Sequence, residues 1–207
     1  MKLKKKVKRI ILIIILIGIV IGSYFVYTGF FDKEEVKATK IVSKIDKYGY
    51  QLKDTKPETY KKMFYELKDI LEANTVDEDK YLRKITEMFI YDFYSLKDKT
   101  AKTDVGGVDF VYGEVLDNFL ENAEDTYYKY VESNIYKNRK QSLPVVTNIE
   151  ITSVEKEAYT YGDKTDDKAY KVNVKWSYTD DSFSDYQKEA DLIFVHDDIK
   201  LSLVELQ

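Results

Sequence analysis

The spacing of apolar residues along this chain changes period once, from about 3.6 to 2, across the stretch "NRKQSLP" at residues 138–144. Upstream, Tyr60, Met63, Phe64, Leu67, Ile70 and Leu71 recur at intervals of three and four, which lays one apolar stripe along a helix. Tyr81, Leu82, Ile85, Phe89, Phe93 and Leu96 form a second stripe, joined to the first by two or three residues around Asn74. So short a joint predicts an antiparallel helical hairpin. Each helix has a start signal: Thr55 with Glu58, and Thr75 with Glu78, both at capping-box spacing, with Pro57 in the first turn of the former. A third, long helix is predicted over residues 110–136, with Val115, Leu116, Phe119, Leu120, Ala123, Tyr127, Val131 and Ile135 facing inward.

Downstream the alternation is that of half-buried strands. Ile149 and Ile151 alternate with Glu150 and Thr152, in a strand running on towards Tyr161. Tyr170, Val172, Val174, Trp176 and Tyr178 alternate with polar neighbours, as do Tyr186, Ala190, Leu192 and Phe194 on either side of Lys188. "HDD" then turns the chain into Ile199, Leu201 and Leu203, while "GDKTDDK" and "TDDSFSD" are polar connectors. Helices first and strands afterwards indicate an α+β fold, with a four-stranded antiparallel sheet laying its Tyr170–Tyr178 face on the helices. The expected domain spans residues 56–207, with helices over 56–137 and the sheet over 144–206.

A different constraint governs the first residues. Residues 1–9 carry six cations, and residues 10–31 carry no charge. At about 1.5 Å rise per residue, such a run is long enough as a helix to cross the hydrocarbon core. It exceeds the apolar region of a cleaved signal peptide and is followed by bulky aromatic residues rather than a small-x-small cleavage site. The reading is therefore an uncleaved signal anchor, with Tyr24, Phe25, Tyr27, Phe30 and Phe31 as an interfacial belt. The positive-inside rule leaves the basic tail in the cytoplasm and exports the rest. Setting those six cations aside from the formal net charge of −4 leaves −10 on the exported part. That part should not adhere to nucleic acid. Residues 32–55 are expected as a juxtamembrane helix, carrying Val36, Ile41, Val42 and Ile45 over residues 33–48, followed by a linker. The absence of cysteine leaves core packing to stabilise an exported domain and excludes a lipidated cysteine anchor.

The order of elements, ending in "YKVNVKWSY…KEADLIFVHDDIKLSLVEL", resembles the cone-shaped fold of nuclear-transport-factor-two-like domains over residues 56–207. The resemblance implies curved strands wrapped on two or three helices. Its membrane-anchored versions include the inner-membrane assembly components of type IV secretion and conjugation systems. The final turn, "HDDIKL", lacks the Gly-Lys-Trp-like sequence of that family. The fold hosts enzymes and inert scaffolds alike and implies no activity.

Few residues carry recognisable chemistry. The only paired glycines, Gly106 and Gly107, follow a helix and lack a phosphate-loop context; Asp104 and Asp109 beside them would repel phosphate. They predict a tight interhelical corner with Asp109 capping the next helix, or else a flap presenting Val105, Val108, Phe110 and Val111 to a partner. His196 adjoins Asp197 and Asp198, but neighbours on a strand end point to opposite faces, which predicts a hairpin-turn cluster. No second histidine and no cysteine exist to complete a zinc site, and no metal or other cofactor is expected. Glu114/Asp117 and Glu121/Asp125 read as solvated helix faces, and Ser95 and Ser133 lack a nucleophile-elbow context. Nineteen tyrosines are the unusual feature: they are either core margins or the lining of a cavity, for which Trp176, Tyr178, Tyr91 and Tyr94 are the candidates. The expected function is a non-catalytic, single-pass scaffold or adaptor of the bacterial envelope whose partners are the bilayer and other envelope proteins. The alternative is a ligand receptor or enzyme using an aromatic-lined cavity.

Overall fold

The computed structural model describes residues 39–207. Among these no helix is long and apolar enough to cross a membrane; the span expected at residues 10–31 lies outside them. The described domain is α+β, with three helices packed on a four-stranded antiparallel sheet.

Its first element corrects the juxtamembrane expectation. Residues 41–53 form a hairpin of strands β1 (Ile41–Ile45) and β2 (Tyr50–Lys53) where a helix and linker were expected; residues 32–38 lie outside the described part. Ile41, Val42 and Ile45 are β-branched and suit an extended chain. Gly49, at φ +70°, closes the turn by donating its N–H to Ile45 and Asp46. Tyr50 and Leu52 then alternate inward.

Helix α1 (Glu58–Leu71) buries Tyr60, Phe64, Leu67 and Leu71, as its stripe predicts. Its start differs: Pro57 occupies the cap with no side-chain hydrogen bond, and Glu58 pairs with Lys61 (2.6 Å) instead of closing a box with Thr55. Helix α2 (Glu78–Tyr94) is capped by Asp77, whose carboxylate accepts from the Lys80 N–H (3.1 Å), and not by Thr75. A charged carboxylate two residues closer to the helix is the better cap, since it also meets the positive end of the helix dipole. Every residue from Met88 to Tyr94 in α2 is buried, so this helix is the axis of the core.

The third helix is much shorter than predicted. Single 3-10 turns at Val108–Phe110 and Gly113–Val115 precede α3 (Leu116–Asp125). Thr126 departs from helical geometry (φ −117°, ψ −93°), and its hydroxyl donates to the Asn122 carbonyl (2.6 Å). The chain then folds back so that the Tyr128 ring enters the core, where its hydroxyl donates to Phe93 O (2.6 Å) and accepts from Gly106 N (3.0 Å). Burying that ring with both polar partners satisfied prevails over extra helical turns in a stretch of tyrosine, serine and asparagine, which are modest helix formers. Val131 is buried, but Ile135 is exposed.

The sheet matches its prediction closely. β3 (Val146–Tyr161), β4 (Lys164–Tyr178), β5 (Glu189–Asp197) and β6 (Lys200–Leu206) form a meander in the order β3-β4-β5-β6. Tyr170 faces Phe194, Val172 faces Leu192 and Val174 faces Ala190, all buried in one core with the helices. Tyr186 falls short of β5 and packs its ring edge-on against Tyr127 and Tyr178. The sheet is tied to α2 at the start of β3, where the Val146 N–H donates to Ser95 Oγ (3.1 Å) and Leu96 N donates to Pro144 O (2.9 Å). It is tied again at the opposite end by Tyr81, whose hydroxyl meets that of Tyr50 (2.7 Å) and accepts from Leu201 N (3.2 Å). Burial pushes that hydroxyl up to about 12.

Candidate partner-binding groove

The paired glycines form a corner, and their geometry explains why both are glycine. A Cβ on Gly106 would lie 2.0 Å from the carbonyl oxygen of Asp92, and one on Gly107 would lie 2.6 Å from the Phe89 ring, at a φ of +75°. The backbone therefore runs against α2 with no room for a side chain. The Gly107 N–H donates to Asp92 Oδ2 (2.8 Å). Asp92 also accepts from Lys56 (2.6 and 2.7 Å) and from Lys99 (2.9 Å). Burial alone would raise the Asp92 carboxyl, but the Lys99 and Lys56 charges and the Gly107 N–H outweigh it and hold it well below the usual carboxylate range. Val105, Gly106, Gly107 and Phe110 are buried and Val108 is half-buried, so the side chains proposed for a flap face the interior. Asp109 caps no helix: Gly107 precedes the 3-10 turn, and α3 starts without a side-chain cap.

His196 finds partners that the sequence conceals. Its Nδ1 and backbone N–H both lie on Asp166 Oδ2 (2.8 and 2.7 Å), and Nε2 is 3.5 Å from Glu78 Oε1, which also accepts from the Tyr170 hydroxyl. Asp197 accepts weakly from Ser202 (3.4 Å), and Asp198 occupies the turn at φ +55°. The cluster thus ties β4 and β5 to the first turn of α2. Among the described residues no group of three or more histidine, cysteine or carboxylate side chains could hold a metal ion.

The corner delivers the chain to the edge of the sheet. Val111 forms a parallel bridge with Leu203 of β6, and Tyr112 N donates to Leu203 O (2.8 Å). The chain then leaves β6 at Gly113 and returns as α3, enclosing a groove of about 480 Å³ between α3 and β6. Phe93, Tyr94, Phe119 and Tyr127 supply an aromatic floor, the exposed Asn118 and Asn122 stand on the α3 wall, and residues 203–207 form the other wall. Glu205 borders the groove through its backbone: it pairs with Ile193 on the face opposite Leu206, where its carboxylate accepts from the Gln207 side-chain amide.

Of the four predicted cavity residues, only Tyr94 lines this groove. Trp176 lies behind it, buried, with ring centroids 4.1 Å apart. Tyr178 is a second layer: its hydroxyl donates to Gln187 O (2.6 Å) and lies 3.1 Å from that of Tyr127, which donates to Tyr94 O (3.1 Å). Burial raises the Tyr127 and Tyr94 hydroxyls far above their ordinary range, so both stay neutral. Tyr91 turns to the side of Thr59 and Asp98. Phe119 is readable from sequence only as part of a helix stripe, and Asn118 and Asn122 carry no signal at all; what makes them a wall is the Val111–Leu203 bridge, which has no local sequence signal. Comparison of the chain with protein-family models, curated proteins and solved structures finds no match.

Proposed function

We propose that the protein is a non-catalytic scaffold or adaptor of the bacterial cell envelope. In this reading residues 10–31 anchor it in the plasma membrane as a single span, and its acidic domain lies outside the cytoplasm. The observation that supports partner binding above all is the α3–β6 groove, an open aromatic concavity with amide walls at a sheet edge. A second surface adds to it. The loop that exposes Tyr130, Ile135 and Tyr136 is held in one shape by Arg139, which donates to the carbonyls of Lys97 (2.8 Å), Lys99 (2.8 Å) and Glu132 (3.1 Å). Aromatic side chains on a fixed backbone suit protein contacts, because little conformational freedom is lost on binding. The resemblance to anchored nuclear-transport-factor-two-like domains makes a secretion, conjugation or cell-wall assembly complex the setting to test first.

The experiment is photocrosslinking in intact cells from unnatural residues at Asn118, Asn122 and Tyr136. Discrete membrane-protein adducts are expected; none in any growth state counts against the adaptor. The groove volume also falls in the range of small-ligand pockets, which favours a receptor as the second reading. A metabolite that raises the melting temperature of the parent but not of Phe119→Ala would select it.

A further inference from the structure

We propose that His196 is a proton-operated catch between the sheet and α2, closing on Glu78 when its imidazole is charged and releasing it when the Nε2 proton leaves. The inference goes beyond the adaptor reading and does not depend on it. Two carboxylates reach the ring from different elements. Asp166 of β4 lies 2.8 Å from Nδ1, and Glu78 in the first turn of α2 lies 3.5 Å from Nε2. A neutral imidazole has one N–H and one lone pair, so it can donate to only one of them. A proton on Nε2 alone would press the Nδ1 lone pair against Asp166 Oδ2 at hydrogen-bond distance. A proton on Nδ1 alone leaves the Nε2 lone pair facing Glu78 across the longer gap. The neutral ring therefore keeps its proton on Nδ1, and only the imidazolium answers both carboxylates.

The two carboxylates are held differently. Asp166 is 12% exposed at its side chain and accepts the backbone N–H groups of His196 (2.7 Å) and Lys168 (2.9 Å), neither of which titrates. Burial opposes its charge, but those N–H groups outweigh burial and hold its carboxyl below the usual range. Glu78 is 48% exposed and can turn to water. It also keeps the Tyr170 hydroxyl of β4 and Lys156 of β3 (3.8 Å), whose ammonium lies over the Tyr170 ring (4.7 Å to its centre). The Tyr170 hydroxyl above all, then the charges of His196 and Lys156, hold the Glu78 carboxyl below its ordinary value. Both carboxylates thus stay ionised across the range of about pH 5 to 8 in which a histidine changes charge. Of the neighbours in sequence, Asp197 points to the opposite strand face, where it meets Ser202, and Asp198 occupies the turn. Release of Glu78 strands no charge, and α2 stays on the sheet through the Tyr81 hydroxyl and Leu201 N (3.2 Å). The catch is therefore reversible: it frees the first turn of α2 and the connection from α1 without unfolding the core.

The test uses the full chain in nanodiscs, prepared without a polyhistidine tag so that the sole histidine gives the only imidazole signals. With ring-15N histidine, NMR spectra from about pH 5 to about pH 8.5 should show both nitrogens protonated at the acid end and Nε2 alone deprotonated at the other. Glu78→Gln supplies the second readout. Its amide keeps an acceptor for Tyr170 and, unlike a carboxylate, can donate to a neutral Nε2, so the proton no longer decides the contact. The advantage of the parent over this variant in thermal midpoint should fall by about 1–3 °C between about pH 5.5 and about pH 8, because a part-exposed pair contributes little and only while the imidazole is charged. A merely structural hydrogen bond would leave that difference constant. A neutral ring protonated on Nε2, a ring of constant charge over the whole range, or a midpoint difference that does not move with pH each overturns the inference. Cellular crosslinking bears on the adaptor alone, so the two readings fail separately.

Discussion

Replacing Asp92 by asparagine isolates the one buried charge on which the glycine corner depends. Asparagine keeps the shape and one acceptor oxygen, so the Gly107 N–H retains a partner. What is lost is the negative charge between two ammonium groups. Lys56 is 20% exposed at its side chain and can turn to water, so its share is small. Lys99 is 3% exposed and is left buried without its main counter-charge; its remaining carboxylate, Asp98, is at 3.3 Å. Breaking a buried pair from one side costs roughly 3–5 kcal/mol. For a chain of this size each kcal/mol moves the midpoint by about 2–4 °C, so thermal unfolding should occur some 6–20 °C lower. Adding Lys99→Met removes the stranded cation and should restore about half of that loss or more, because a buried pair is often replaceable by apolar groups. The pH dependence has a fixed sign. Asp92 is depressed relative to its value of 3.8 in an unfolded chain, so its contribution is complete above that value and is lost as pH falls through the folded one. The difference between parent and Asp92→Asn should therefore be flat from about pH 5 to 9 and shrink below about pH 4. Near-ultraviolet circular dichroism on the buried tyrosines reports the transition. A midpoint change below about 2 °C, or a double variant weaker than the single one, refutes the reasoning.

Gly106→Ala forces a Cβ to within 2.0 Å of the Asp92 carbonyl oxygen, a backbone atom that cannot swing aside, and should cost about 2–4 kcal/mol in urea denaturation. Tyr128→Phe leaves the ring in place but strips the Gly106 N–H of its acceptor and Phe93 O of its donor; a loss of about 1–3 kcal/mol is expected by the same measurement. Glu114→Gln removes the negative charge from the Lys164 pair (2.7 Å) at the tip of the β3–β4 hairpin, an exposed pair, and should leave the unfolding midpoint unchanged while shifting the Lys164 side-chain resonances in NMR spectra.

The parts of this fold that sequence disclosed are those in which one local rule acts alone. Tyr170, Val172, Val174 and Trp176 alternate because one face is buried and the other wet, and they occupy β4 as expected. The stripe from Tyr60 to Leu71 is a helix for the same kind of reason. Errors arose where two tendencies competed over a few residues. Ile41, Val42 and Ile45 fit a loose helical spacing, but their β-branching and Gly49 decided for a hairpin. Tyr127, Val131 and Ile135 continue the stripe of α3 on paper; the chain instead buries Tyr128 against a carbonyl 35 residues away. Asp166 and Glu78 were invisible as partners of His196 because they lie 30 residues or more from it, on other elements. The groove was hidden for the same cause: one wall is strand, the other helix, and a single bridge sets their separation.

The buried ion cluster and the groove are two ends of one construction. Asp92 fixes Gly107, and the close approach of Gly106 fixes the backbone direction at the corner. Within a few residues that direction becomes the Val111–Leu203 bridge, and beyond Gly113 it becomes the axis of α3. Tyr128 returns from the far end of α3 to donate to Phe93 O and accept from Gly106 N, so the helix is held at both ends by groups on or against α2. A groove wall only ten residues long has little intrinsic stability as a helix and derives its position from these two attachments. The absence of space at the glycines, which at first suggests only a tight turn, is therefore what keeps the β6 edge uncovered and the aromatic floor open.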